Sequence, residues 1–192
     1  MRYNKVSLER IEMAISTHTV KASARREGKI APIDSVPLLY SIWSSLAQDS
    51  QQGYVDLYEM PLIERAGLVK SGVPSLMVGV ISAEMDITKE RFVRMMGLPR
   101  ATVARKIANK SDLSVDESER LVGIAKLIGQ VETIVKQSGN PEGFRAGKWF
   151  SEWISEPAAA LGGRKPEDLL DTADGREAIA KLLAQMQSGA YA

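Results

Sequence analysis

Between Pro99 and Lys110 the chain places Arg100, Arg105, Lys106 and Lys110 and no acid. Over its whole length 25 basic side chains stand against 24 acidic ones, for a net charge of +1. Positive charge concentrated in a balanced chain suits nucleic-acid chemistry. Arg100 and Arg105 can fork onto guanine or clamp phosphate, and Lys106 and Lys110 serve as point charges for phosphate. Thr102 can reach a phosphate or a thymine methyl. A second cluster, Leu161-Gly162-Gly163-Arg164, suits protein contact, because two glycines let the backbone turn and let another chain approach closely. Arg164 has two roles open: binding a partner's carboxylate, or tying down Asp168 or Asp171 within its own domain. At the end of the chain, Gly189, Tyr191 and Ala192 form a short tail whose tyrosine can insert into a partner's cleft. The alternative for that tail is a frayed terminus.

Nothing in the chain has the makings of catalysis. The single histidine, His18, lies in a polar segment far in sequence from any acid cluster. Asp168, Asp171 and Asp174 are spaced as helix-start residues and have no nearby histidine or cysteine to complete a metal site. Cysteine is absent, which excludes disulfides and thiolate ligands. Gly162-Gly163 is too short to cradle phosphates. The expectation is no catalytic residue, no metal and no cofactor. No apolar run approaches the roughly 20 residues a membrane helix needs, and the N-terminus has no signal-peptide pattern. A cytoplasmic protein that binds no membrane is expected.

The elements that must position these residues are helices; no stretch of any length alternates with period two, and the expected fold class is all-α. Thr88 is a plausible N-cap for a helix to Met96, and Gly97 supplies the left-handed residue of a tight turn. Leu98-Pro99 opens a second helix to about Lys110. Phe92, Val93 and Met96 can face the core, and Val103 and Ile107 can pack the second helix back onto the first. That leaves Arg100, Thr102, Arg105, Lys106, Asn109 and Lys110 for the outer faces. This is the plan of a helix-turn-helix. Ser114 with Glu117 has the spacing of a capping box for a longer helix through about Val135. Its apolar face is Leu121, Ile124, Leu127, Ile128, Val131 and Val135.

Three regions follow. Residues 1–60 form an N-terminal extension of uncertain role. It includes a short amphipathic helix on Leu8, Ile11 and Ile15, and a possible helix from Leu38 to Leu46 with Trp43. It also has a basic stretch with Lys21, Arg25, Arg26 and Lys29, read first as solvated and mobile and second as a DNA-touching arm. Residues 61–137 form the helix-turn-helix domain, with Pro61 opening a turn that Gly67 ends. Ser138-Gly139-Asn140-Pro141 marks the boundary to a small helical domain, 138–192. There, helices are expected at about 141–154, 166–170 and 175–188. Trp149 and Trp153 serve as core anchors beside Phe150 and Ile154. Asp174 with Glu177 caps the last helix, which carries Ile179, Leu182, Leu183 and Met186 at core spacing.

Two blocks carry a resemblance. Gly97-Leu98-Pro99-Arg100-Ala101-Thr102-Val103-Ala104-Arg105 with Leu113-to-Leu121 is similar to the helix-turn-helix of the Xre/MbcA/ParS antitoxins. Leu161-Gly162-Gly163-Arg164-Lys165-Pro166 with Leu169-Leu170-Asp171-Thr172 resembles the C-terminal toxin-binding domain of the same family. The resemblance covers roughly residues 62–190 and implies an antitoxin of a type II toxin–antitoxin module. On that reading the C-terminal domain covers the active-site entrance of a RES-domain toxin that consumes NAD, and the helix-turn-helix represses the antitoxin's own operon. The implied partners are that toxin and operator DNA. Toxin contact falls on Leu161, Gly162, Gly163, Arg164, Gly189, Tyr191 and Ala192. Because one recognition helix buries little, a homodimer is expected, assembling with toxin into a larger complex. The alternative is a stand-alone helix-turn-helix regulator whose C-terminal domain serves dimerisation or another partner.

Overall fold

A computed structural model describes residues 42–48, 51–139 and 143–187. The expectations placed on Leu8 to Ile15, on the basic stretch and on the tail lie outside these residues. Among those described, the regular structure is helical: residues 42–47, then α1 (Gln51–Glu59), α2 (Leu62–Ser71), α3 (Met77–Glu84), α4 (Lys89–Met95), α5 (Arg100–Ala108), α6 (Val115–Ser138), α7 (Ala146–Trp153) and α8 (Ala173–Gln187). Two single 3₁₀ turns, Ala159–Leu161 and Pro166–Leu169, join α7 to α8.

The long helix α6 is the axis of the core. Its start is the expected capping box: the Glu117 amide donates to Ser114 Oγ at 3.3 Å, and the Ser114 amide donates to Glu117 Oε2 at 2.6 Å. Leu121, Ile124, Leu127, Ile128 and Val131 are buried along it. The helix ends at Gly139, left-handed at φ 101°. α1 lies directly on α6 at Gly129, where an added Cβ would stand 2.0 Å from the Tyr54 carbonyl oxygen. On another side α8 crosses α6, and Gln130 Nε2 donates to the Ala180 carbonyl at 2.8 Å. One continuous buried cluster therefore runs from Ile42 to Leu183.

Several expectations shift. The chain before residue 61 is not merely an extension: Trp43, Leu46, Tyr54 and Leu57 are buried in the core. α2 passes through Gly67 and ends only at Gly72, φ 84°. A lone helical glycine costs only about 1 kcal/mol, too little to stop the helix. After residue 143 the helix starts at Ala146, and α8 starts at Ala173. Thr172, rather than Asp174, caps α8, its Oγ1 accepting from the Gly175 amide at 3.0 Å; Asp174 stands in the first turn, at the positive end of the helix dipole. Met186 is exposed, while Ile179, Leu182 and Leu183 are buried.

Glu132 is an unusual side chain for a core. It is 1% exposed, and among the described residues neither carboxylate oxygen has a hydrogen-bond partner. Lys136 Nζ stands 3.9 Å away. Burial pushes the carboxyl above its ordinary range, and Lys136 offsets part of that. The native carboxyl thus holds its proton to higher pH than the unfolded one. The stability it contributes is present below the unfolded pKa and lost as pH rises through the native one. Glu132→Met should therefore stabilise the fold near neutral pH, by about 1–2 kcal/mol in urea denaturation. The gain should shrink as the pH falls toward the ordinary glutamate range.

Candidate functional site

The helix-turn-helix is built as its local signals dictate. Thr88 Oγ1 accepts from the Arg91 amide at 3.2 Å and starts α4. Gly97 makes the turn at φ 65°. A side chain there would meet two obstacles besides strain: a Cβ would lie 2.8 Å from Asp171 Cβ and 3.0 Å from Arg120 Nη1. Arg120 Nη1 donates to the Met96 carbonyl at 2.9 Å, holding the turn from α6. Phe92, Val93, Met96 and Val103 are buried and Ile107 packs against them, which fixes the face α5 turns outward.

On that outer face Arg100, Arg105, Asn109 and Lys110 are exposed and Thr102 is half-buried. Among the described residues no ion pair engages Arg100, Arg105 or Lys110. Lys110 closes the helix in the left-handed region at φ 50°, which a non-glycine residue rarely adopts. Lys106 departs from the expectation of a free phosphate contact. Its ammonium pairs with Glu117 in the capping box of α6, and its side chain is only 21% exposed. Burial pushes Glu117 up, but the Lys106 ammonium and the Ser114 donors outweigh it and hold the carboxyl below its ordinary value. Leaving that site for a phosphate would strand a buried acid. Lys106 is placed to lock α5 onto α6.

The second surface is the loop between α7 and α8. The Ala158 amide donates to the Arg164 carbonyl at 3.0 Å, and the Gly163 amide donates back to the Ala158 carbonyl at 3.0 Å. Gly162 and Gly163 both adopt positive φ, 66° and 80°, and nothing lies within 4 Å of a Cβ built on either. The backbone is thus bare toward solvent. Leu161 is half-buried beneath it, and Gly162, Gly163, Arg164 and Lys165 are exposed. Of the two roles open to Arg164, the inward one is not taken: among the described residues no ion pair joins it to Asp168 or Asp171. The aromatic anchors divide. Phe150 and Ile154 are fully buried, whereas Trp149 and Trp153 are half-buried at the edge, stacked at 5.9 Å and 7° with Phe144 beside Trp149.

Contacts that join the two surfaces were invisible in the sequence. Arg91 of α4 donates to Ser155 Oγ at 2.6 Å and to Glu167 Oε2 at 2.9 Å, on either flank of the loop. Arg176 of α8, 7% exposed, donates to the Leu170 carbonyl at 2.9 Å and to Glu119 of α6 at 2.7 Å. Asp171 packs on the helix-turn-helix glycine. No spacing rule marks pairs separated by 57 or 76 residues.

The two surfaces fall in two matched families. Residues 64–126 match the antitoxin Xre-like helix-turn-helix domain, and residues 143–189 match the antitoxin Xre/MbcA/ParS C-terminal toxin-binding domain. A protein of Sphingobium sp. (strain YBL2) named Prs ADP-ribosylating antitoxin is 41% identical over 139 residues, covering 72% of this chain and 87% of that one. The chain belongs to the Xre/MbcA/ParS antitoxin family. The antitoxin is also similar to proteins named Antitoxin Xre. One, from Yersinia enterocolitica, is 25% identical over 64% of this chain and 78% of its own length. Another, from Pseudomonas putida, is 26% identical over 48% of this chain and 52% of its own length. The antitoxin is therefore one half of a toxin–antitoxin system, with a toxin-binding domain and a helix-turn-helix. Among its described residues no helix is long and apolar enough to cross a membrane, and no group of three or more acids and histidines is placed to hold a metal.

Proposed function

We propose that this antitoxin neutralises a RES-type toxin that consumes NAD, by laying its C-terminal domain over the toxin's active-site entrance. The observation that carries the reading is the bare glycine loop with Arg164, which among the described residues has no ion-pair partner, standing inside the segment that matches the toxin-binding domain. Backbone that no side chain shields can approach a partner closely, and a free guanidinium can take a carboxylate in a bidentate pair. Leu161, Gly162, Gly163 and Arg164 form this contact, and Gly189, Tyr191 and Ala192 extend it from the end of the chain. The Sphingobium relative's name couples an antitoxin to ADP-ribosylation of Prs, which is also NAD chemistry. The NAD is the toxin's substrate, and this chain supplies no reacting group.

In the same reading the antitoxin represses its own operon. Arg100, Thr102, Arg105 and Lys110 meet the operator from α5, while Lys106 holds α5 in place through Glu117. Two copies set two such helices on half-sites about one turn of DNA apart, ~34 Å. The work is cytoplasmic, where operator, toxin and NAD meet.

Arg164→Glu tests the toxin half. The side chain is exposed, so the fold should be unchanged, while toxin binding measured by titration calorimetry should weaken by about 30-fold or more. Operator binding should stay as in the wild type. Undiminished toxin affinity would remove the loop from the interface.

A further inference from the structure

The glycine loop stands on two stems, and one side chain from the helix-turn-helix binds both. Ala158 and Arg164 pair to close the loop. Ser155 lies three residues before that pair and Glu167 three residues after it. Beneath the pair the stems share a backbone bond, from the Glu167 amide to the Ile154 carbonyl at 3.0 Å. Arg91 of α4 completes the joint. A single guanidinium nitrogen, Nη2, donates to Ser155 Oγ at 2.6 Å and to Glu167 Oε2 at 2.9 Å. It carries two hydrogens, one for each acceptor. Ser155 Oγ then donates onward to the Ser151 carbonyl of α7 at 2.6 Å.

The loop has little else to hold it. Among the described residues, no other side chain from outside residues 143–187 hydrogen-bonds to any residue from Ser155 to Glu167. Leu161 is only half-buried, and Gly162 and Gly163 meet nothing. Consecutive glycines leave an unsupported backbone many conformations. A contact surface made of backbone needs that backbone held in one shape beforehand, because ordering it on binding costs affinity. Arg91 is itself well fixed. Its amide is the one Thr88 caps, and Phe92 and Val93 beside it are buried. Arg91 and Glu167 each keep about two thirds or more of the side chain from water, so the joint is firmer than a surface ion pair.

We propose that Arg91 is a positioning residue for the toxin, holding both stems of the glycine loop in the shape the toxin meets; the proposal deepens the toxin reading given above and rests on it. Arg91 lies outside residues 143–189, the segment that matches the toxin-binding domain. Toxin recognition is then shared by both matched segments. The guanidinium acts through Ser155 and Glu167 on the backbone from Gly162 to Arg164.

The test uses the full chain as wild type, Arg91→Leu, Glu167→Leu and the two together. Glu167→Gln is the conservative variant, keeping an acceptor for Nη2. Amide hydrogen exchange is measured first, on the antitoxin alone. In Arg91→Leu the Ala158 and Gly163 amides, which close the loop, should exchange about 10-fold faster, and those of Leu127 and Ile128 in α6 should not change. Calorimetric titration with the product of the neighbouring gene follows. Each leucine variant should bind about 10-fold more weakly. The double variant should bind no more weakly than either single one, because both cut the same joint. Glu167→Gln should stay within about 2-fold of the wild type. Loop amides that stay protected, or losses that add in the double variant, would overturn the proposal. So would leucine variants that bind as the wild type does while Arg164→Glu does not. Faster exchange in α6 in step with the loop would make Arg91 an ordinary contact of the fold and overturn it too. A wild type that does not bind this gene product removes the toxin reading itself, and the positioning role with it.

Discussion

Arg100→Ala combined with Arg105→Ala is expected to weaken operator binding by about 100-fold or more at fixed salt, since each forked contact is worth about 1–3 kcal/mol. Both side chains are exposed, and among the described residues neither is held by an ion pair. Their removal costs the fold nothing, so thermal unfolding and toxin binding should match the wild type. Fluorescence anisotropy on the DNA upstream of the gene measures the loss. Lys106→Ala makes the informative contrast. It should weaken operator binding less directly and lower stability as well, because Glu117 would be left buried without its cation. If Lys106→Ala behaved like Arg105→Ala, with full stability and lost DNA binding, the locking role of Lys106 would be wrong.

The second large effect is on the fold. Gly129→Val places a Cβ at 2.0 Å from the Tyr54 carbonyl oxygen and close to the Tyr58 side chain. Both obstacles belong to α1, and one of them is backbone, so the helix as a whole has to move. α1 carries Tyr54 and Leu57, buried in the core against α6. A loss of about 3–5 kcal/mol is expected in urea denaturation, at the upper end of what single overpacking changes do. Gly67→Ala is the matched control. It is also a helical glycine, but its added methyl meets nothing, and it should stabilise by up to about 1 kcal/mol. Equal effects at the two positions would mean that α1 does not sit on α6 as described.

What the sequence made legible is what local chemistry decides. Thr88, Gly97 and the Ser114–Glu117 box each act within four residues, and each forms as its spacing requires. The apolar positions of α4 and α6 follow the helical period and are buried accordingly. What stayed illegible depends on partners distant in sequence. Lys106 looked like a phosphate contact because its ion pair with Glu117 depends on how α5 folds back on α6. Trp149 and Trp153 looked like core because aromatic residues at helical spacing usually are, yet Phe150 and Ile154 take the interior and the tryptophans stack at its edge. Gly67 and Gly72 cannot be ranked as helix ends by type alone; the left-handed backbone at Gly72 decides it. The joins between the two matched segments, Arg91 to Glu167, Arg176 to Glu119 and Asp171 to Gly97, exist only in the folded chain. They make the helix-turn-helix and the glycine loop between α7 and α8 parts of one packed body.

Co-expression with the product of the neighbouring gene asks whether this chain silences an NAD-consuming toxin, as proposed above. Growth, cellular NAD and co-purification are followed together. The neighbour should arrest growth and deplete NAD when expressed alone, and should be harmless and recovered in complex when this chain is present. Arg164→Glu should weaken that protection, and Arg100→Ala with Arg105→Ala should leave it intact. A neighbour that is harmless alone, or whose toxicity this chain does not relieve, would rule out that function.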